Sequence, residues 1–510
     1  MIKKHFNNVD EMSYTKLENL KPVDFEDFWT GQIKDIQGLT PSYKIEKAFE
    51  DDFERGEFYH LYFESFDQSR IHCKYLRPKT EEKIPLVVIF HGYPGATRSY
   101  FEYSSFLDQG IGVLAMDCRG QGDLSFEMEK ARLNKGPTVS GHIIDGINGD
   151  KEDLFYINIF KDAYLTVNLA KSLEGVDVDK IYLAGSSQGG GITIVTGALQ
   201  REVVKKAYIL YPFLTDYRKV FELDYDESAY EGLRYYSRWF DPQGKKLDEF
   251  FDKLAYIDAA NFVNYIKADI IYGISLADEV IPPEVQYAVY NEIKAPKKLF
   301  QFKGFGHEKI CPMEDEVLPF FKDDPDLNEG IAKDDNSFSY KYINEGNDSL
   351  LFYLNPTINM GCHYLRRFSE LNMDSLSYDF TNSEEDFNNV KALWNKYKDK
   401  YENIYIIGQR EATGIALDLG NDKKLRGLIL QGMLFDEKSV DKARKIAAPV
   451  LMASAGLDEL ENKDLTKKVA ESFDKARILY YPKYEYERIN DFEDEKMVFL
   501  NKIKKEDSNE

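Results

Sequence analysis

The sequence lacks several features that mark secreted, membrane and metal-binding proteins. It has only four cysteines (Cys73, Cys118, Cys311 and Cys362), and none of them forms a CxxC pair. This spacing disfavours a thiolate zinc site and a disulfide framework, and we expect all four cysteines to be structural. We also expect no metal and no cofactor. No run of about 18 apolar residues is present, which predicts no membrane-spanning helix. The first residues, MIKKHFNNVDEMSY, lack the apolar stretch and cleavage site of a secretory signal, so we expect a cytoplasmic chain.

Positive charge is also scarce. The chain has 66 Lys and Arg against 89 Asp and Glu, a formal net charge of -23 at pH 7. Such a balance repels phosphate backbones and anionic lipid surfaces at long range. We therefore expect neither nucleic acid nor a membrane as a partner, whereas neutral substrates such as sugars and their esters are not repelled.

The length and composition predict two α/β domains. A chain of 510 residues exceeds what one hydrophobic core usually supports. The segment 322–349 is rich in Asp, Asn, Gly and Ser, as linkers are, so we place a boundary near residue 330, between domains 1–329 and 330–510. In the first domain, short apolar runs such as IPLVVIFHG and KIYLAG alternate with helical patterns, which predicts an α/β fold with a mostly parallel sheet.

The C-terminal part repeats the pattern of the first part. IYLAGSSQGGGITIVTG (181–197) and IYIIGQREATGIALDLG (404–420) share a strand, turn and helix frame. Six strand segments recur in the same order, so we predict a truncated and degenerate copy of the first fold. The first part also carries an aromatic-rich insertion at about 213–257, which is either a lid or a helical excursion that packs on the core.

The motif GSSQG (185–189) lies directly between a predicted strand and a predicted helix. This is the setting of a nucleophile elbow, in which the serine sits on a strained turn. A serine hydroxyl needs a base to take its proton and an acid to orient that base. Asp278, in SLADEVIPP, and His307, in FKGFGHE, follow later strands in the required order. Singly they could be a helix cap and a surface histidine, but together they predict a Ser187, His307 and Asp278 triad.

The tetrahedral intermediate of acyl transfer also needs backbone N–H donors for its oxyanion. The residue after the nucleophile, Gln188, is expected to offer one amide from the start of its helix. We expect the second from Tyr93, in the loop HGYPG (91–95) that follows an early strand. In the plainer interpretation His91 and Gly92 only shape that turn, which is compatible with Tyr93 as a donor.

These motifs together resemble the acetyl xylan esterase and cephalosporin C deacetylase family, carbohydrate esterase family seven. The resemblance rests on HGYPG (91–95), DCRGQGD (117–123), GSSQGG (185–190), the Asp278 loop and GHE (306–308), and it extends over nearly all of residues 10–325. It implies the α/β-hydrolase fold, the triad with Ser187 as nucleophile, and an oxyanion hole formed by the amides of Tyr93 and Gln188. It further implies that Arg119 and Gln121 brace the site.

The resemblance implies a serine esterase that acts on small acetylated substrates such as acetylated xylo-oligosaccharides, without a metal. Two alternatives are a peptidase or acyltransferase on the same fold and a sugar-binding scaffold without catalysis. The RGQ motif argues against the first, and the complete triad argues against the second. Many members form ring-shaped hexamers, which implies a homo-oligomer. FYIN (155–158) stands where the family usually shows Tyr-Tyr-Arg, and a second domain follows, so we expect fewer than six chains.

The second copy has lost the residues that carry this chemistry. The positions that match Ser187, Gln188, His307 and Asp278 are occupied by Arg410, Glu411, Tyr486 and Asp458. Arginine cannot act as an acyl acceptor, and tyrosine, with a pKa of about 10, is a poor base at neutral pH. We predict a catalytically silent, structural domain. The alternative is a binding site for a carboxylate or sugar at Arg410, Glu411 and Tyr486.

Overall fold

The computed structural model describes residues 16–17, 21–122, 124–126, 142–324, 327, 332–334, 338–357, 359–381, 383–484 and 492–507. The chain forms two compact units. The first comprises Met1–Phe49, Phe58–Thr97 and Gly110–Met313, and the second comprises Glu50–Glu57, Arg98–Gln109 and Glu314–Glu510.

Two short segments from the N-terminal half belong to the second unit, where the ring of Phe53 packs 4.8 Å from that of Phe101. Arg55 pairs with Glu345 at 2.6 Å. The division therefore differs from the predicted single boundary near residue 330, a position that lies outside the described residues. Contacts between residues distant in sequence place the segments 50–57 and 98–109 in the second unit.

The first unit is built on a nine-stranded sheet. Its strands are β1 Tyr43–Lys47, β2 Gly56–Glu64, β3 Arg70–Pro78, β4 Ile84–Phe90, β5 Gly112–Met116, β6 Val176–Ser186, β7 Val204–Leu210, β8 Asp269–Ser275 and β9 Lys297–Phe302. Their order is β1-β2-β3-β5-β4-β6-β7-β8-β9. From β5 to β9 all pairs are parallel, whereas β1 and β3 pair antiparallel with β2 and β5, respectively.

Helices precede, connect and follow the strands of both units. Along the chain they are α1 Phe25–Lys34, α2 Ser104–Asp108, α3 Phe155–Ala170, α4 Gln188–Leu199, α5 Tyr217–Glu222, α6 Glu231–Trp239, α7 Leu247–Leu254, α8 Pro283–Glu292, α9 Cys311–Lys322, α10 Cys362–Leu365, α11 Asp386–Tyr397, α12 Ala412–Leu419, α13 Lys438–Ala443, α14 Lys463–Ala470 and α15 Phe492–Asp507. The central strand β4 is largely buried, as expected for a parallel sheet covered by helices on both faces. No helix in the described ranges has the length and apolarity needed to cross a bilayer.

The second unit repeats this topology in a shorter form. Its strands are β10 Ala332–Asp334, β11 Ser339–Ile343, β12 Ser349–Leu354, β13 Asp374–Tyr378, β14 Asn403–Gln409, β15 Leu425–Gln431, β16 Val450–Ala455 and β17 Ala476–Tyr481. The order β11-β13-β12-β14-β15-β16-β17 reproduces β3-β5-β4-β6-β7-β8-β9. In both sheets the first of these pairs is antiparallel and the others are parallel. The six repeated segments therefore occupy equivalent strands, and the predicted α/β fold class is confirmed.

The predicted insertion at about 213–257 is helical. It contains α5, α6 and α7 between β7 and β8, whereas α13 alone lies between β15 and β16. Within it, the rings of Tyr236 and Phe250 stack with centroids 4.0 Å apart. Asp258 closes the base of the insertion by accepting hydrogen bonds from the amides of Asp216 at 3.0 Å and Ala260 at 2.9 Å.

The Asp258 carboxyl group is fully buried, and burial together with the nearby Asp216 raises its pKa to about 8. The folded state holds this proton more tightly than the unfolded chain. Protonation of Asp258 therefore contributes to the free energy of unfolding, and this contribution is complete below about pH 4 and is lost as the pH rises towards about 8. We therefore expect the stability of the wild type, relative to Asp258→Asn, to decrease between pH 5 and pH 8.5. Urea unfolding of both proteins at each pH measures this difference. A difference in the free energy of unfolding that stays constant with pH would contradict the raised pKa of Asp258.

Candidate active site

Ser187 occupies the tight turn between β6 and α4. Its backbone has φ 56° and ψ -123°, a strained conformation for a residue with a side chain. Neighbouring glycines make this turn possible, because a Cβ atom on Gly189 would lie only 1.9 Å from the carbonyl oxygen of Phe90. The turn also receives support from the adjacent strand, since the Ser187 N–H donates to the Leu210 carbonyl at 3.0 Å.

The structure brings the three predicted triad residues together. The Ser187 Oγ atom lies 3.0 Å from His307 Nε2, and His307 Nδ1 lies 2.9 Å from Asp278 Oδ2. An ionised aspartate only accepts hydrogen bonds, so His307 donates through Nδ1 and leaves Nε2 to accept the serine proton. The Asp278 side chain is fully buried, whereas that of His307 is 23% exposed. This arrangement can activate the serine and still admit a substrate.

Backbone and side-chain donors hold the Asp278 carboxylate. Oδ1 accepts hydrogen bonds from the amides of Val280 at 2.8 Å and Ile281 at 2.9 Å. Oδ2, which pairs with His307, also accepts from Gln286 Nε2 at 3.3 Å. Sequence reasoning missed Gln286, because it belongs to no motif and lies in α8, the helix that follows the loop of Asp278 (the acidic loop).

Tyr211 is a second residue that the sequence did not reveal. Its ring centroid lies 4.7 Å from that of His307, and its hydroxyl donates to the carbonyl of Glu308 at 2.7 Å. Both contacts fix the loop that carries the histidine. The only sequence signal is its place directly after the predicted strand β7.

The two predicted oxyanion donors lie on elements next to the nucleophile. Gln188 is the first residue of α4, so its N–H has no acceptor within the helix. A Cβ atom on Gly92 would lie 3.8 Å from the Ser187 Cβ, which places the loop that contains Tyr93 beside the serine. The Tyr93 ring packs 5.7 Å from the ring of Phe213.

The side chain of Gln188 connects the elbow to the RGQ motif. Gln121 Nε2 donates to Gln188 Oε1 at 2.9 Å, and Gln188 Nε2 donates back to Gln121 Oε1 at 3.0 Å. The Tyr156 hydroxyl adds a third hydrogen bond, at 2.7 Å, to Gln188 Oε1. All three side chains are buried, so this pairing fixes the start of α4.

Arg119 acts at a different place from Gln121. Its fully buried guanidinium binds Asp162 of α3 through Nε at 2.6 Å and Nη2 at 2.7 Å, and Asp67 through Nη1 at 2.6 Å. Burial opposes its charge, but the two carboxylates outweigh burial and raise the pKa of Arg119 above its usual value. Arg119 therefore ties α3 to the turn after β2.

The turn at Arg410 in the second unit keeps the backbone shape of the elbow, with φ 53°. The Arg410 Nη1 atom lies 2.8 Å from Oδ2 of Asp458, the counterpart of Asp278. Both side chains are largely buried, at 13% and 2% exposure. An ion pair thus stands where the first unit has its serine and acid, while Tyr486 lies outside the described residues.

Within the described ranges, no group of three or more His, Cys, Asp or Glu side chains is arranged to hold a metal ion. The chemistry of a Ser-His-Asp triad requires no metal ion, because the histidine side chain accepts and returns each proton.

Comparison with known proteins gives matches to the N-terminal part of the chain, which contains the first unit. The family described as acetyl xylan esterase (AXE1) matches residues 5–324. The acetyl esterase Axe7A of Xylanibacter ruminicola is 24% identical over 290 residues, 56% of this chain and 62% of that esterase. The chain thus spans less than two thirds of that relative.

Two solved structures are also similar. Acetyl xylan esterase 1 from Thermoanaerobacterium sp. JW/SL YS485 is 33% identical, with a TM-score of 0.59, over 62% of this chain and 98% of that one. An acetyl xylan esterase from Paenibacillus sp. R4 is 25% identical, with a TM-score of 0.58, over 62% and 99%. Since the family match covers more than half of the sequence, the chain belongs to the acetyl xylan esterase family of carboxylic ester hydrolases.

Proposed function

We propose that the protein is a serine esterase that removes acetyl groups from small acetylated sugars, with Ser187, His307 and Asp278 as its catalytic triad. The observation that carries this proposal is the continuous relay of hydrogen bonds, 3.0 Å from Ser187 Oγ to His307 Nε2 and 2.9 Å from His307 Nδ1 to Asp278 Oδ2. Family membership supports hydrolysis of acetyl esters.

The first half-reaction forms an acetyl-enzyme. His307 Nε2 takes the Ser187 proton as Oγ attacks the acetyl carbonyl carbon, and the amides of Gln188 and Tyr93 stabilise the oxyanion that develops. Asp278 stabilises the resulting imidazolium through Nδ1. The imidazolium then donates its proton to the sugar oxygen, the C–O bond breaks and the deacetylated sugar leaves.

Water completes the cycle. His307 takes a proton from a water molecule, whose oxygen attacks the acetyl carbon and forms a second tetrahedral intermediate. Collapse of that intermediate returns the proton to Ser187 Oγ and releases acetate. Each step uses the same donors and acceptors, so one arrangement of side chains serves both halves of the reaction.

The surroundings of the nucleophile support a short acyl group and a neutral alcohol. The Phe213 amide donates to the Ser187 carbonyl at 2.8 Å, and the Phe213 ring lies 5.7 Å from Tyr93 and 4.5 Å from Tyr230. Phe213 and Tyr230 are fully buried, and we propose that this aromatic cluster bounds the acyl site beside the serine. The net charge of -23 does not repel neutral sugars, and we propose acetylated xylo-oligosaccharides in the cytoplasm as substrates.

We expect kcat/KM to be at least about 100-fold higher for p-nitrophenyl acetate than for the octanoate ester, because even a few methylenes that do not fit cost one to two orders of magnitude. The panel should include acetylated xylo-oligosaccharides and an aminoacyl amide, with Ser187→Ala as the control for uncatalysed turnover. Equal rates on acetate and octanoate would contradict a small acyl site. Cleavage of the amide alone would favour a peptidase, and silence on all substrates would favour a binding scaffold.

A further inference from the structure

Gln286 is a buried polar residue close to the triad. It lies in α8, eight residues after Asp278, and its side chain has no exposure to solvent. A buried amide group costs free energy unless it is hydrogen-bonded. The partners of this amide therefore indicate what the residue does.

The hydrogen bonds of Gln286 fix the orientation of its side-chain amide. Its Oε1 accepts from the backbone N–H of Ser275 at 3.0 Å, and only an oxygen can take that role. Its Nε2 donates to the carbonyl of Ile281 at 2.8 Å and to Asp278 Oδ2 at 3.3 Å. The donor end thus faces the same carboxylate oxygen that pairs with His307.

Ser275 extends this connection to the loop that carries the base. Its hydroxyl lies within hydrogen-bond distance of two carbonyl oxygens in that loop, Phe305 and Gly306, the second at 2.6 Å. Gly306 directly precedes His307. One buried amide is therefore linked directly to the acidic loop and, through Ser275, to the base loop.

We propose that Gln286 is a positioning residue of the triad, which holds Asp278 Oδ2 towards His307 and couples the acidic loop to the base loop through Ser275. This inference rests on the proposed function. Gln286 does not contact the reacting atoms, so it acts on catalysis through Asp278 and His307. Loss of such a supporting hydrogen bond affects the chemical step more than substrate binding, because the orientation of the histidine matters most in the transition state.

The first test replaces Gln286 by methionine, which has similar length and no strong hydrogen-bonding group. We expect kcat for p-nitrophenyl acetate to fall by about 10- to 100-fold, because the loss of a hydrogen bond that supports a catalytic group often has an effect of this size. KM should stay within about twofold of the wild type. Gln200→Met is the matched control. Gln200 is also buried and donates to Tyr164 O at 3.1 Å and Asn168 Oδ1 at 2.9 Å, so its loss should lower stability and leave kcat unchanged.

The second test, Gln286→Glu, adds a readout that a merely structural role would not move. An ionised carboxylate at this position repels Asp278 and cannot donate, whereas its protonated form can donate. We therefore expect the ratio of variant to wild-type kcat to decrease as the pH rises from about 5.5 to 8.5. Should Gln286→Met fail to fold, this profile and the kcat of Ser275→Ala, expected to fall as well, decide the question.

Wild-type-like kcat in folded Gln286→Met, or a ratio for Gln286→Glu that stays constant with pH, would overturn the positioning role. Failure of the proposed function has a different signature. In that case the wild type would not hydrolyse p-nitrophenyl acetate, or Ser187→Ala would retain its activity.

Discussion

Replacement of Ser187 by alanine is expected to reduce the esterase activity of the full-length protein to near background. Loss of the nucleophile of such a triad lowers kcat by about 10^4- to 10^6-fold, or roughly 5 to 8 kcal/mol of transition-state stabilisation. The residual rate comes from the oxyanion donors and from substrate binding, which do not need the serine. Steady-state hydrolysis of p-nitrophenyl acetate measures the effect, with circular dichroism to verify that the variant is folded.

The same variant tests whether the second unit contributes to catalysis. Arg410 pairs with Asp458 at 2.8 Å, and its replacement would free that carboxylate. The position that matches His307 is occupied by Tyr486, so a serine at position 410 would still have no base to take its proton. We therefore expect Arg410→Ser to restore no activity in the Ser187→Ala protein. More than about a hundredth of wild-type activity in either protein would mean that the elbow is misassigned or that the second unit is an enzyme.

The elbow could be predicted from sequence because its physical requirements are local. A serine at φ 56° needs small neighbours, and the glycines of GSSQG record this need within five residues. Parallel strands place their carboxyl ends at one edge of the sheet. The strand order alone therefore brings the loops of Asp278 and His307 towards Ser187.

Other features depended on contacts that no short pattern encodes. Gln286 and Tyr211 support the acid and the base from separate elements, and neither stands in a recognisable motif. Contacts such as the ion pair of Arg55 with Glu345 connect early segments to the second unit, which composition near residue 330 could not indicate. The family resemblance implied that Arg119 and Gln121 brace the site, but only the structure distinguishes their partners.

Replacement of Arg119 by methionine is expected to have the largest effect on stability, a loss of about 3 to 5 kcal/mol in the free energy of unfolding. Removing one partner of a buried ion pair leaves the other as an uncompensated charge. Here that partner is Asp162, which is fully buried, and burial already raises its pKa. An unpaired Asp67 costs less free energy than an unpaired Asp162, because the Asp67 side chain is 31% exposed and water can solvate it.

The double variant Arg119→Met/Asp162→Asn separates the ion pair from the general packing of Arg119. If the unpaired Asp162 causes the loss, its neutralisation should recover part of the stability, because a buried amide costs less than a buried charge. Urea unfolding of the wild type and the three variants, with Asp162→Asn as the second single change, closes the cycle. Because Arg119 binds Asp162 and Asp67 rather than the triad, kcat per folded molecule should stay within about tenfold of the wild type. A double variant no more stable than Arg119→Met would exclude the unpaired carboxylate as the cause, and a 100-fold loss of kcat in folded protein would place Arg119 in the catalytic machinery.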